Sequence, residues 1–307
     1  MTTTVQPGTG TPDQVIKQSK PGTGAGSATP IVRTVLFLLC CLWMLPVFGL
    51  LISSFRTRTA QGESGWWTVI ANPLDFTQWT VNNYAQVLGD NASGINMGKA
   101  FINSFVVTVP ATIIPILIAA FAAYAFTFME FKGKEFLFIV IVGLLVVPNY
   151  VALVPMLKIY GNLGIGGTFP AAWLAHIGFG MSLAIYIFRN YMSTLPRTVF
   201  EAAQIDGASH YQTFYKLILP MSVPALASFA IFQFLWVWND LLIALVFVGP
   251  GPHEPITVAV SKLLGQQGQG WNAVTAAGII SMLLPLVVFL ALQRFFVRGL
   301  TAGSVKG

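Results

Sequence analysis

Six stretches of this chain are apolar for long enough to cross a lipid bilayer as helices, and no other feature constrains its fold as strongly. They are Thr34–Ser53, Phe101–Met129, Phe136–Leu157, Phe169–Phe188, Met221–Val248 and Ala273–Gln293. Each reaches the roughly 20 residues that the hydrocarbon requires. The second and fifth runs are longer, which predicts tilt or protrusion. Charge is too scarce for a soluble alternative. Charged residues are 8% of the 307, against about 25% in an ordinary soluble domain. With 24 Phe and 8 Trp, disorder is excluded as well. The expected class is therefore an all-α polytopic membrane protein with six transmembrane helices. Pro110, Pro115, Pro148, Pro155, Pro224 and Pro285 fall within the runs, and kinks are expected there.

The few cations orient the helices. With the N-terminus inside, the inner set is Lys17, Lys20, Arg33, Lys132, Lys134, Arg189, Arg197, Lys216, Arg294, Arg298 and Lys306. The outer set is Arg56, Arg58, Lys99, Lys158 and Lys262. Eleven against five places both termini in the cytoplasm. The net charge of +6 does not point to nucleic acid, because no basic stripe with interleaved aromatics occurs. Cys40 and Cys41 are adjacent in the first run and read as small apolar side chains, not as a disulfide or metal pair. Residues 1–30 are rich in Thr, Gly, Pro and Ser, which predicts a disordered cytoplasmic tail.

The division expected from these runs is a tail over 1–30, a first helix with a long external loop over 31–100, a five-helix core over 101–297 and a short cytoplasmic tail over 298–307. Trp66, Trp67 and Trp79 in the external loop suit either interfacial anchors or a small cap facing a partner. The most informative loop is the cytoplasmic one, residues 189–220. Thr198 with Glu201 reads as a capping box, so a helix is expected to start at Thr198. Gly207 stands where a C-terminal glycine belongs. Ser209 with Gln212 reads as a second capping box. Tyr211, Phe214, Tyr215 and Ile218 then recur at helical spacing, which predicts an exposed aromatic stripe. Such a stripe suits either the inner ends of the protein's own helices or a separate cytosolic protein.

Glu201-Ala202-Ala203, three residues, Gly207, nine residues and Leu217-Ile218-Leu219-Pro220 resemble the EAA loop of ATP-binding-cassette importer permeases. The family pattern is Glu-Ala-Ala, three residues, Gly, nine residues, Ile, one residue, Leu-Pro, and Leu217 replaces the Ile. Asp206-Gly207-Ala208, Trp238-Asn239-Asp240, the ending Gly299–Gly307 and, more weakly, Asn103-Ser104 are similar to the carbohydrate (maltose-type) subgroup. The resemblance covers roughly residues 80–307. It implies a type I importer permease fold and a prokaryotic inner-membrane location. It also implies a second permease subunit, two cytosolic ATPase subunits and an external solute-binding protein. Glu201, Ala202, Ala203, Asp206, Gly207, Ala208, Phe214, Leu217, Leu219 and Pro220 would form the ATPase-coupling loop. Gly265, Gln266, Gln267, Gly268, Gln269 and Gly270 would face the binding protein. A sugar is the cargo implied, a di- or oligosaccharide such as an α-glucoside.

The chain itself has no Gly-x-x-x-x-Gly-Lys-Ser/Thr run, so ATP and Mg are expected on the partner ATPases and no cofactor on this chain. Asn239 and Asp240 are candidates for the translocation path, because Asp240 is the one carboxylate inside a run. Three readings of Asp240 stand open: a pair with Asn239, a lining of a watery path, or a proton relay with His176. The rival classes are an ion-coupled secondary transporter, a membrane scaffold, and the same ATP-driven mechanism carrying a non-sugar solute.

Overall fold

The computed structural model describes residues 29–89, 95–265 and 270–301. Residues 1–28 of the expected tail and 302–307 at the other end lie outside the described residues. The first apolar run is helix α1 (Pro30–Ser54). After it come α2 (Arg58–Glu63), α3 (Thr68–Ala71), a 3-10 turn at Phe76–Gln78 and α4 (Asn82–Leu88). The second run is α5 (Met97–Phe128), started by Asn96, whose Oδ1 accepts from Lys99 N at 2.9 Å.

The third run is not one helix. It is α6 (Lys134–Leu144), a break, a 3-10 turn at Asn149–Ala152 and α7 (Leu153–Asn162), bent by 91°. The reason is Pro148. It bars the helical region to Val147, and the preceding turn tightens into Val146 N→Gly143 O and Val147 N→Leu144 O bonds. The fourth run is α8 (Phe169–Met192). Then follow α9 (Arg197–Ile205), α10 (His210–Thr213), a π-turn at Phe214–Ile218 and α11 (Leu219–Met221).

The fifth run is broken as well. Helix α12 (Val223–Asn239) ends before Asp240 and is followed by α13 (Leu241–Ile243) and a π-turn at Ala244–Val248. The chain turns 70° between His210–Met221 and α12. Helix α14 (Ile256–Gly265) precedes the Gly/Gln run, and α15 (Trp271–Thr301) carries the sixth apolar run. Among the described residues four helices are thus long and apolar enough to span alone, and up to six spans result if each bent pair counts as one.

Contacts divide the chain into two units, one ending at Val47 and one beginning at Phe48. The described part of the first is the opening of α1. In the second, α5 and α8 meet through small residues: Ala119, Ala120 and Ala123 lie against Ala184, Ile185 and Phe188, all buried. Small side chains let helix backbones approach closely, which is how helices associate where lipid is as apolar as leucine. A second core joins Ala100, Trp238, Ile256, Ala259, Ala273, Ala276 and Ala277.

The segment between α1 and α5 is a built cap. Arg56 is 1% exposed and donates to Ser64 O and Ala60 O, both at 2.8 Å, at the C-terminal end of α2. Burial pushes its guanidinium below the ordinary value. Asn83 Nδ2 donates to Ser54 O (2.9 Å) and Arg56 O (2.8 Å), and its Oδ1 accepts from Asn272 Nδ2 at 2.9 Å. Trp66 lies so close to Gly49 that a Cβ there would come within 2.6 Å of its Nε1. Of the three tryptophans, Trp67 is 62% exposed, while Trp66 and Trp79 are half-buried.

Candidate coupling element and translocation path

The α9–α11 segment is a helix–turn–helix element packed on α5. Its first helix starts at Arg197, one residue earlier than the expected Thr198, and the Thr198–Glu201 capping box does not form. Pro196 occupies the cap position with no side-chain bond, and its carbonyl accepts from Val199 N at 3.2 Å. Proline's fixed φ of −60° already points the chain into the helix. Glu201 is therefore released from capping and lies exposed.

The helix ends in a paired hydrogen-bond motif. Ala208 N donates to Ala203 O at 2.9 Å and Gly207 N to Gln204 O at 3.0 Å. That motif needs a left-handed residue, and Gly207 supplies it at φ 77°. The second capping box is formed: Ser209 Oγ accepts from Gln212 N (3.3 Å), and Gln212 Oε1 accepts from Ser209 N (2.9 Å).

The expected aromatic stripe is split between two faces. Phe214 and Ile218 are buried, at 2% and 1% exposure, whereas Tyr211 is 67% and Tyr215 40% exposed. Tyr211 and Tyr215, four residues apart, take the exposed edge of the stripe, and Phe214 and Ile218, also four apart, take the buried edge; a π-turn spans Phe214–Ile218 just before Pro220. Phe214 thus anchors this element on α5 and is not on its surface. It stacks on Phe121 of α5 with centroids 4.3 Å apart, and Phe200 stacks on Phe128 at 4.8 Å. Tyr124 Oη and His210 Nδ1 share a hydrogen bond at 3.0 Å. Of the remaining candidates, Ala203 is buried, and Ala208, Leu217 and Leu219 are half-buried. Ala202, Asp206, Gly207 and Pro220 are exposed, next to Ile205 at 87%.

Asn239 and Asp240 do not pair with each other. Asn239 Nδ2 donates back to Leu235 O at 2.7 Å within α12. Asp240 Oδ1 accepts from Ile243 N at 2.8 Å and starts α13, so this carboxylate caps a helix at a break and does not sit inside a continuous span. Asn239 lines a cavity of 180 Å³ with Trp238, Thr257 and Ser261. A larger cavity, 490 Å³, lies at the α6–α7 break. Pro148 and Asn149 line it from the break, Phe179 and Ser182 from α8, and Trp236 from α12. The sequence reading missed this cavity. Its only signal was Pro148-Asn149 within an apolar run, which reads equally well as a kink.

Asn103 and Ser104 have a defined task. Asn103 Nδ2 donates to Pro252 O and Glu254 O, both at 3.1 Å, and Ser104 Oγ accepts from Ile256 N at 2.7 Å. They tie the start of α14 to α5. Glu254, 7% exposed, pairs with Lys262 and accepts from Gly251 N at 3.3 Å. Glu254→Gln keeps the shape and loses the charge pair. It should cost about 1 kcal/mol in a detergent melt, a difference that shrinks as salt is added. Of the expected binding-protein-facing loop, Gly265 closes α14 and Gly270 (φ 153°) precedes α15. Gln266, Gln267, Gly268 and Gln269 lie outside the described residues.

The family model described as "Binding-protein-dependent transport system inner membrane component" matches residues 115–302. The osmoprotective compounds uptake permease protein GgtD of Synechocystis sp. is 52% identical over 276 residues, covering 90% of this chain and 91% of that one. The alpha-glucoside transport system permease protein AglG of Rhizobium meliloti is 50% identical over 263 residues, covering 84% and 67%. Among solved structures, a bacterial alginate ABC transporter in complex with an alginate pentasaccharide-bound periplasmic protein superposes with a TM-score of 0.60. It covers 87% of this chain and 94% of its own at 15% identity, a likeness of fold. The chain accordingly has the type I importer permease fold, is a multi-pass membrane subunit and not itself an enzyme, and belongs to the family of inner-membrane components of binding-protein-dependent transport systems.

Proposed function

We propose that this permease passes a small sugar, specifically an α-glucoside, inward across the membrane on energy delivered to the α9–α11 lever by two cytosolic ATPase subunits. ATP and Mg are held by those subunits. A second permease subunit completes the path, and a solute-binding protein delivers the cargo. Both termini and the lever lie on the cytoplasmic side, in keeping with the eleven-to-five distribution of Lys and Arg. The carrying observation is the division of labour in the lever. Phe200, Phe214 and Ile218 root it on α5, while Glu201, Ile205, Asp206 and Tyr211 are presented outward around a rigid left-handed turn. Large apolar side chains left exposed beside carboxylates suit a protein partner.

The exposed pair gives a direct test. Ile205→Ser with Tyr211→Ser should change stability by no more than about 0.5 kcal/mol, since both side chains are exposed. It should weaken association with the ATPase subunits by roughly tenfold in a pull-down titration of the detergent-solubilised chain. Unchanged association would remove the lever from the coupling interface.

The cargo is supported by relatives, among them the alpha-glucoside permease at 50% identity. A second cargo class, an osmoprotective compound, is favoured by the relative at 52% identity. Uptake into proteoliposomes holding the whole complex separates them. ATP-dependent uptake of a labelled α-glucoside is expected, and uptake of a betaine with none of the glucoside would reverse the assignment.

A further inference from the structure

A helix carbonyl four residues before a proline has no backbone donor, because the proline nitrogen carries no hydrogen. Three prolines stand inside helices of the second unit: Pro110 and Pro115 in α5, and Pro285 in α15. They release the carbonyls of Val106, Ala111 and Ser281. Each of these is taken by a side-chain N–H from another helix. Trp173 Nε1 of α8 donates to Val106 O at 3.0 Å. Gln233 Nε2 of α12 donates to Ala111 O at 3.2 Å. Trp238 Nε1 of α12 donates to Ser281 O at 3.0 Å. The links run α5 to α8, α5 to α12 and α12 to α15, and so join four helices in series.

The bland explanation is repair, in which donors were recruited to satisfy carbonyls that prolines had orphaned. The Gln233 node argues for more. Its amide fits only because Gly180 of α8 has no side chain, since a Cβ there would lie 2.8 Å from Nε2 and 2.9 Å from Oε1. Nε2 also reaches His176 O of α8 at 3.5 Å, so one amide touches three helices. Gln233 is 0% exposed, and its Oε1 is buried without a hydrogen-bond partner. Alanine at 115 would have satisfied Ala111 from within α5, with no buried amide and no glycine inside α8. Proline, glutamine and glycine together are a costlier answer to the same local problem, and what they add is the link between helices.

We propose that Trp173, Gln233 and Trp238 are positioning residues of the transport cycle. They hold α5, α8, α12 and α15 in register through the carbonyls released by Pro110, Pro115 and Pro285. A displacement arriving through Phe200 and Phe214 on α5 then reaches all four helices together. The proposal rests on the reading of this chain as an ATP-driven permease.

The test is a pair of compensating changes, measured in the full complex in proteoliposomes as cargo taken up per ATP hydrolysed. Gln233→Leu should lower this ratio by about tenfold, the factor one buried hydrogen bond carries. Adding Pro115→Ala, which returns a backbone N–H to Ala111 O but not the link to α12, should recover the melting temperature and leave the ratio low. Gly180→Ala, which pushes the amide aside without altering its chemistry, should lower the ratio as Gln233→Leu does. Should Gln233→Leu fail to assemble, Trp238→Phe with and without Pro285→Ala gives the same comparison at the other end of the series. A wild-type ratio in both Gln233→Leu and Gly180→Ala overturns the proposal. So does full recovery of the ratio in the double variant, which would make the donor a repair and nothing more. Failure of the unaltered complex to couple uptake to ATP would instead overturn the proposed function. The proline rescue of melting would still show whether Gln233 holds the Ala111 carbonyl.

Discussion

Gly207→Val should reduce coupled uptake by roughly thirtyfold while the chain still inserts and folds. A left-handed residue with a side chain costs about 2 kcal/mol, and a β-branched one is an outlier there. Gly207 is at φ 77°, and a Cβ built on it meets nothing within 4 Å. The penalty is therefore purely one of backbone conformation, and it falls on the hydrogen-bond pair that sets the angle between α9 and α10. The remote core of Phe200, Phe214 and Ile218 is untouched, so melting and membrane insertion should stay near wild type. Gly207→Asn is the control, since asparagine tolerates the left-handed region. It should keep most of the uptake. Wild-type uptake in the valine variant would show that the turn transmits nothing.

Asn83→Leu is the second large effect, and it acts on stability. One side chain of 3% exposure holds Ser54 O, Arg56 O and Asn272 Nδ2. Leucine of similar volume leaves all three without this partner, in a cap where water is excluded. Leaving buried polar groups unpaired costs about 1–3 kcal/mol each, and partial relaxation brings the expected total to roughly 4 kcal/mol. The melting temperature in detergent should fall, and proteases should cut residues 56–88 first. Adding Asn272→Leu removes the orphaned amide on α15, so the double variant should be more stable than Asn83→Leu alone. Equal or greater loss in the double variant would mean that the Asn83–Asn272 bond contributes little.

Much of the fold was legible in the chain as written. Runs of 20 or more apolar residues mark the spans because the hydrocarbon imposes one length on every helix. Gly207 and the Ser209–Gln212 cap were legible because caps are local, set by residues three or four apart. The Thr198 cap misled for the same local reason. Two residues before it, Pro196 had already set the entry into the helix, and a helix can begin without a capping box.

The failures lie where the partner is distant in sequence. A kink at Pro148 is expected and a 91° bend is found, but Asp240 stands in a run that looks continuous, and whether such a run bends or breaks depends on what receives the freed backbone groups. Phe214 and Tyr211 share helical spacing, but Phe121 of α5 receives only one of them and leaves the other outside. Arg56 counts as one more loop cation until α2 is seen to close over it.

The sequence by itself determined that this is a helical membrane protein with a helix–glycine–helix element between its fourth and fifth apolar runs. Length, charge scarcity and local caps are properties that a single strand of residues carries. Only the tertiary structure decided which carbonyls the prolines release to which donors. Trp173, Gln233 and Trp238 lie 67, 122 and 43 residues from the carbonyls they hold. Hydrogen bonds across helices are made by proximity in space, and no spacing rule along the chain encodes that.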